Sequence, residues 1–197
     1  MSNLIVSLTS YPPRFGGLKY TLQSLVTQSF RPDCIVLWIN EADVDKLPAD
    51  VLAFTKLGVE VRAVRGVDLK CGKKIFPALI SFADSTIVTC DDDVIYYKDW
   101  LFDLVRASRD DGGSNILCHR ASICKMNGDA EFLPYMDWES FGKNDVGIGM
   151  DVFPTGVGGV LYPPGCFHPD VMNLDLFLKL CPNRLRKYPT RAAPLLT

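Results

Sequence analysis

Three carboxylates in succession, Asp91-Asp92-Asp93, follow the apolar run Ile87-Val88-Thr89-Cys90, and the chain turns apolar again at Val94-Ile95-Tyr96. A buried strand reads this way when it delivers acidic side chains to the carboxyl edge of a sheet. Adjacent carboxylates repel one another by roughly 1 kcal/mol per pair in water, and by more where water is excluded. Something should neutralise them, and a divalent cation is the simplest candidate. Mg²⁺ and Mn²⁺ take oxygen ligands and commonly sit on one or two carboxylates together with substrate phosphates. Alternation along a strand puts Asp91 and Asp93 on one side, with Asp92 between them on the other. The alternative is a solvated acidic turn.

The elements that must position this triplet follow from the apolar pattern. Leu4 to Leu8 reads as a strand, stopped by the prolines of Thr9-Ser10-Tyr11-Pro12-Pro13-Arg14. Leu18, Leu22, Leu25 and Val26 recur at helical spacing between Phe15 and Phe30. Cys34 to Ile39 is a fully apolar strand running into Asn40-Glu41-Ala42-Asp43. A short helix is predicted from Pro48 to Leu57, terminated by Gly58, and a half-exposed strand from Val59 to Val64. A helix over Lys73 to Phe82, the central strand Thr86 to Cys90, a helix capped by Asp99 and a strand from Ser114 to His119 complete the series.

Strands alternating with helices predict an α/β fold with a mostly parallel, doubly wound sheet. Ligands of such sheets bind beyond the carboxyl ends of the strands. Residues 7–10, 40–43 and 91–93 should therefore come together. From Ala121 to Asp151 the pattern weakens into a loop-rich region suited to lining a site. The glycine-rich stretch Phe153 to Gly165 matches neither a Walker A loop nor a dinucleotide fingerprint.

Composition narrows the function classes. The 197 residues suit one domain, and 48% apolar with 22% charged residues is a globular composition. A net charge of −2 gives no basic surface for nucleic acid. No apolar window reaches the length of a transmembrane helix. Met1-Ser2-Asn3 lacks the basic start of a signal peptide. Seven scattered cysteines without a Cys-x-x-Cys pair argue against a zinc site or disulfide framework, so the expected location is cytoplasmic.

Taken in order, these segments resemble the glycosyltransferases of the GT-A fold, near bacterial family-2-like enzymes that build surface polysaccharide from nucleotide sugars. The resemblance rests on Val6 to Arg14, Ile35 to Ile39, Lys73 to Leu79, the acidic triplet in the place of an Asp-x-Asp motif, and Gly156 to Gly165. It implies one GT-A domain over residues 1–182, with a nucleotide-binding half at 1–120, an acceptor-side half at 121–182 and a basic tail at 183–197. It further implies transfer from a nucleotide-activated sugar, UDP-sugar favoured, to a glycan or lipid-linked acceptor, with Mn²⁺ or Mg²⁺ assisting. Contact with the inner face of a membrane would be peripheral.

By this resemblance Asp91 and Asp93 would meet the metal, with His168 as a further ligand. Asp91 and Asp92, with Thr9, Ser10, Arg14, Asn40 and Glu41, would line the nucleotide sugar. Lys73 or Lys74 would meet the diphosphate. Tyr135, Asp137, Trp138, Gly158 and Gly159 would face the acceptor. A bound cation and a lysine stabilise a departing nucleoside diphosphate where its charge develops.

The chain departs from the family after Leu178-Lys179-Leu180-Cys181-Pro182, where an acidic pair normally supplies the base. Asn183 to Arg191 carries Arg184, Arg186, Lys187 and Arg191 and no carboxylate. This carries the expectation of a truncated or altered end, with Asp145, Asp151, Asp170 and Asp175 as the substitute bases. The other readings are a nucleotide-sugar-binding remnant without turnover and a metal-dependent nucleotidyltransferase. The latter normally shows a Gly-rich phosphate loop after the first strand.

Overall fold

The computed structural model describes residues 2–141 and 147–180 of the chain. Its main sheet is built from the apolar runs. The strands are β1 (Leu4–Thr9), β2 (Cys34–Asn40), β3 (Val59–Val64), β4 (Thr86–Thr89), β5 (Leu117–Cys118) and, late in the chain, β9 (Val160–Tyr162). Their order is β3-β2-β1-β4-β9-β5. β1 pairs in parallel with β2 and β4, and β2 with β3, whereas β9 runs antiparallel to both β4 and β5.

Helices cover both faces, which is why the central strands read as unbroken apolar runs rather than alternating ones. On one face Leu18, Leu22 and Leu25 of α1 (Phe15–Val26) and Trp100, Leu101 and Leu104 of the later helix Trp100–Asp110 pack on Val6, Leu8, Leu37 and Val88. On the other, Ala78 from the helix Phe76–Ser81 meets Ile5, Val36, Trp38 and Ile87. In chain order the helices after α1 are α2 (Ala49–Leu52), α3 (Phe76–Ser81), α4 (Trp100–Asp110) and α5 (Leu174–Leu180). Among the described residues no helix is long and apolar enough to cross a membrane.

The α/β expectation holds, and the departures from it have local causes. α1 stops at Val26 rather than Phe30: the amide of buried Gln28 donates to the Ser24 carbonyl at 3.0 Å and to the Tyr97 carbonyl at 2.9 Å, pinning the helix end to the segment after the acidic triplet. The helix predicted from Pro48 is a short α2 followed by a 3-10 turn over Ala53–Leu57, closed by Gly58 at φ +92°. The helix predicted from Lys73 starts only at Phe76, because Lys70–Lys74 forms a 3-10 turn and Pro77 takes an early helical position. Asp99 precedes α4 but makes no side-chain cap. The strand predicted over 114–119 shrinks to Leu117–Cys118.

The largest departure lies in the stretch read as loops. It contains a second sheet, ordered β7-β6-β8, of β6 (Ala121–Ile123), β7 (Glu139–Ser140) and β8 (Val152–Pro154). Its small core is aromatic: Trp138 packs edge-on against Tyr135 and Phe153, with ring centroids 5.3 Å away in each case.

Candidate functional site

The parallel strands β1, β2 and β4 end at the same edge, and the acidic triplet sits there. β4 pairs as far as Thr89, and the Cys90 amide still donates to the Ser7 carbonyl at 3.1 Å. The backbone then turns, so strand alternation no longer governs the next residues. Asp91, Asp92 and Asp93 consequently meet different partners.

Asp92 is buried, at 5% exposure. Its carboxylate accepts from the Ser10 hydroxyl at 2.5 Å and from Arg14 Nη1 at 2.7 Å, and its carbonyl accepts from the Thr21 hydroxyl at 2.9 Å. Arg14 Nη1 also lies 3.0 Å from Asp93 Oδ2, so one guanidinium joins two carboxylates. The hydrogen bond to Asp92 holds the Arg14 guanidinium firmly protonated, above its ordinary range. Arg14 ends the 3-10 turn Pro12–Arg14, whose prolines prevent β1 from continuing. Its guanidinium also lies 5.6 Å from the ring centre of Tyr11, an exposed aromatic at the same edge. The sequence reading passed over Tyr11, although an exposed aromatic between a strand and a proline turn is a signal.

Asp91 takes Lys74 instead, with Nζ 2.5 Å from Oδ1. The lysine is delivered by a relay through the sheet. Trp38 Nε1 of β2 donates to the Ser7 hydroxyl at 2.9 Å, and that hydroxyl donates to the Lys74 carbonyl at 2.5 Å. The neighbouring Lys73 is directed elsewhere: its buried ammonium pairs with Asp68 at 2.7 Å. Asp68 receives Lys70 as well. Burial works against its charge, but the bonds from Lys70 and Lys73 prevail and hold the carboxyl down at about 2. Of the two lysines left open by the sequence, Lys74 is the one at the triplet.

The glycine-rich turn Gly156–Gly158 lies over this ion pair. A Cβ on Gly156 would stand 2.9 Å from Lys74 Nζ and 3.5 Å from Asp91 Oδ1. Buried Tyr96, which the sequence reading did not single out, ties the turn to the triplet. Its hydroxyl accepts from the Asp91 amide at 2.8 Å and donates to the Val157 carbonyl at 3.4 Å, and burial raises its pKa. Trp100 Nε1 donates to the Gly158 carbonyl at 2.7 Å.

The other expected site residues are distributed as follows. The Thr9 hydroxyl donates to the Trp38 carbonyl at 2.7 Å, within the strand edge. Asn40 ends β2, and Glu41 beside it is exposed and paired with Arg65 at 2.7 Å. A Cβ on Gly158 would meet Arg120, and one on Gly159 would meet the Trp100 ring. Trp138 is buried as the core of the small sheet, its indole N–H donating to the Leu133 carbonyl at 2.9 Å, so it offers no free face to a sugar. Tyr135 and Asp137 beside it are exposed. Asp151, Asp170 and Asp175 are exposed, and Asp170 lies against His168, 3.4 Å from its Nδ1. Asp145 and residues 181–197 lie outside the described residues.

Among the described residues no group of three or more His, Cys, Asp and Glu side chains is placed to hold a metal ion, so the structure does not bring His168 to Asp91 and Asp93. Each carboxylate of the triplet already faces a side-chain cation of the chain, Lys74 for Asp91 and Arg14 for Asp92 and Asp93. This donor set does not fit a divalent centre built by the protein itself.

No protein-family model matches the sequence. No curated protein matches it either. Solved structures do share its fold. With 4-diphosphocytidyl-2C-methyl-D-erythritol synthase from Anaerococcus prevotii the TM-score is 0.51 at 15% identity, over 83% of this chain and 70% of that one. With CMP:2-keto-3-deoxy-manno-octonic acid synthetase, solved in complex with CTP, it is 0.51 at 11% identity, over 90% and 78%. S. aureus TarS in complex with UDP gives 0.47 at 20% identity over 59% of this chain, which spans 34% of the TarS chain. The chain shares with the two synthetases an α/β fold built on a mostly parallel sheet flanked by helices.

Proposed function

We propose that the protein transfers a sugar from a nucleoside-diphosphate donor, a UDP-sugar in the first instance, to a glycan or lipid-linked acceptor. The observation that carries this reading is the pair of cations fixed at the carboxyl edge of the parallel strands: Arg14 on buried Asp92, and Lys74 on Asp91. Two side-chain cations beyond a parallel sheet suit a diphosphate at the place where this sheet type binds ligands. Their positive charge acts most strongly on the departing diphosphate, whose negative charge grows as the bond from sugar to phosphate breaks. One structure that shares the fold was solved in complex with CTP, in keeping with a nucleotide ligand.

A nucleotidyltransferase needs a donor-rich loop to hold a triphosphate after the first strand. Here β1 ends at Thr9 and α1 begins at Phe15, and the residues between are Ser10-Tyr11-Pro12-Pro13-Arg14. Pro12 and Pro13 have no N–H to offer. The next glycines, Gly16 and Gly17, lie within α1 and not in that link. The short link therefore favours diphosphate departure over nucleotidyl transfer.

The test follows the leaving group by phosphorus NMR. The protein is incubated with UDP-sugars and a mixed glycan acceptor, and separately with CTP and sugar phosphates. Release of UDP without pyrophosphate is the expected result. Pyrophosphate from CTP, with the UDP-sugars intact, would move the protein to the nucleotidyltransferase class.

A further inference from the structure

From Asp91 to Asp99 the chain forms neither strand nor helix, yet this segment carries the carboxylates of the site. Its buried backbone groups still need hydrogen-bond partners. Those partners come from one helix. Thr21 and Ser24 of α1, with Gln28 just beyond its end, are spaced by three and four residues and form a stripe beside the apolar face of Leu18, Leu22 and Leu25. All three polar side chains are buried, at 1%, 8% and 6% exposure. Burying a polar side chain is costly unless it is bonded, so this stripe needs a reason. The Thr21 hydroxyl donates to the Asp92 carbonyl at 2.9 Å. The Ser24 hydroxyl accepts from the Tyr96 amide at 3.1 Å while donating to the Thr21 carbonyl at 2.7 Å. The Gln28 side chain donates to the Tyr97 carbonyl at 2.9 Å and accepts from the Leu101 amide at 3.0 Å. Tyr96 passes the constraint on, because its hydroxyl accepts from the Asp91 amide at 2.8 Å. Asp92 is thus held from α1 by its carbonyl, and from Ser10 and Arg14 by its carboxylate.

We propose that Thr21 and Ser24 are positioning residues for the candidate site. The polar stripe of α1 is the template that fixes the acidic turn, Thr21 through the Asp92 carbonyl and Ser24 through Tyr96 and the Asp91 amide. The placement of the turn does not depend on the reaction; its effect on sugar transfer rests on the transferase reading above. A stripe that only glues the helix to its neighbours would lower stability and leave the turn unaltered. A template loosens the pair of Arg14 and Asp92 when one hydroxyl is lost, whatever the change in overall stability.

The experiment uses the full chain with Thr21→Val, which keeps the shape and loses the donor, and Thr21→Ser, which keeps the hydroxyl. Leu25→Ala, on the apolar face of the same helix, serves as the destabilised control. Urea melts confirm that each variant is folded. The guanidinium N–H signals of Arg14, identified by their absence in Arg14→Lys, are followed by nitrogen-15 NMR with no ligand present. In wild type, Thr21→Ser and Leu25→Ala these protons should exchange with water at rates within about twofold of one another. In Thr21→Val they should exchange about tenfold faster or more, the factor expected when a buried carbonyl loses its one side-chain donor. Ser24→Ala repeats the test through Tyr96, with the Asp91 amide shifted, and decides it if Thr21→Val does not fold. Unchanged Arg14 exchange in Thr21→Val, or an equal rise in Leu25→Ala, would overturn the proposal. Release of UDP from UDP-sugars is then measured: kcat/KM should fall about tenfold in Thr21→Val and return in Thr21→Ser. Equal turnover by wild type and Thr21→Val would refute the effect on transfer. If wild type releases no UDP, the transferase reading fails, and the Arg14 signals alone decide whether α1 places the turn.

Discussion

Arg14→Ala is expected to cost about 3 kcal/mol of stability, the lower end for breaking a buried ion pair, and to abolish binding of a nucleoside diphosphate. The reason is asymmetry of burial. Asp92 is 5% exposed and keeps only the Ser10 hydroxyl once Arg14 is gone, so a carboxylate is left in the interior with one neutral donor. Arg14 itself is 42% exposed, and water can solvate what remains of its partners on the outer side, Asp93 included. Ser10→Ala should cost only about 1 kcal/mol, because it removes one hydrogen bond and leaves the charge pair intact. Urea unfolding checks both, with a shifted midpoint and an unchanged slope marking a true stability change. Equal small losses for the two variants would mean that Asp92 is not held as described.

Gly159→Ala is expected to be at least as damaging, at about 4 kcal/mol. Gly159 has φ +88° and ψ 143°, a backbone region that non-glycine residues essentially do not enter, and forcing one there costs of order 1–3 kcal/mol. The new Cβ would also stand 2.4 Å from Cζ2 of Trp100, a ring that is 1% exposed and cannot move aside. Overpacking a core adds about 1–3 kcal/mol more. Because β9 begins at Val160 and lies between β4 and β5, the damage should reach the sheet beneath the triplet. Gly17→Ala is the contrasting substitution. Gly17 lies in α1 with open space around its Cβ position, so alanine should stabilise by about 0.5–1 kcal/mol through helix propensity. Thermal and urea unfolding of the two variants should move in opposite directions.

The parts of this architecture that were legible in the sequence are those where burial on both faces imposes a continuous apolar run. Ile35 to Ile39 and Ile87 to Thr89 could be read as central strands for that reason, and with them the edge where Ser10, Asn40 and Asp91 lie. Sequence patterns lost their hold where hydrogen bonding turns the chain. The period of 2 along β4 suggested that Asp91 and Asp93 act together, but pairing ends before them, and it is Asp92 and Asp93 that share Arg14. The two lysines of Lys73-Lys74 are equivalent as letters. The 3-10 turn that carries them sends one to Asp68 and the other to Asp91.

The small sheet was missed because strands of two and three residues are too short to show a period. Trp138, expected on the acceptor side, is buried in that sheet's core. The antiparallel entry of β9 next to β4 is a long-range pairing with no local signature. It brings Gly156 over Lys74 across more than eighty residues of sequence. Tyr96 gains its place by the same route, since only the folded chain brings Val157 to its hydroxyl.

The central claim is that the carboxyl edge around Arg14, Lys74 and the acidic triplet holds a nucleoside diphosphate. Backbone amide NMR during titration with UDP tests it most directly. The amides of Ser10, Arg14, Asp91, Asp92, Asp93 and Gly156 should shift together and saturate at one ligand per chain. Saturation that leaves these amides unmoved, with the shifts confined to a surface elsewhere such as the groove between Tyr20 and Ile95, would contradict it.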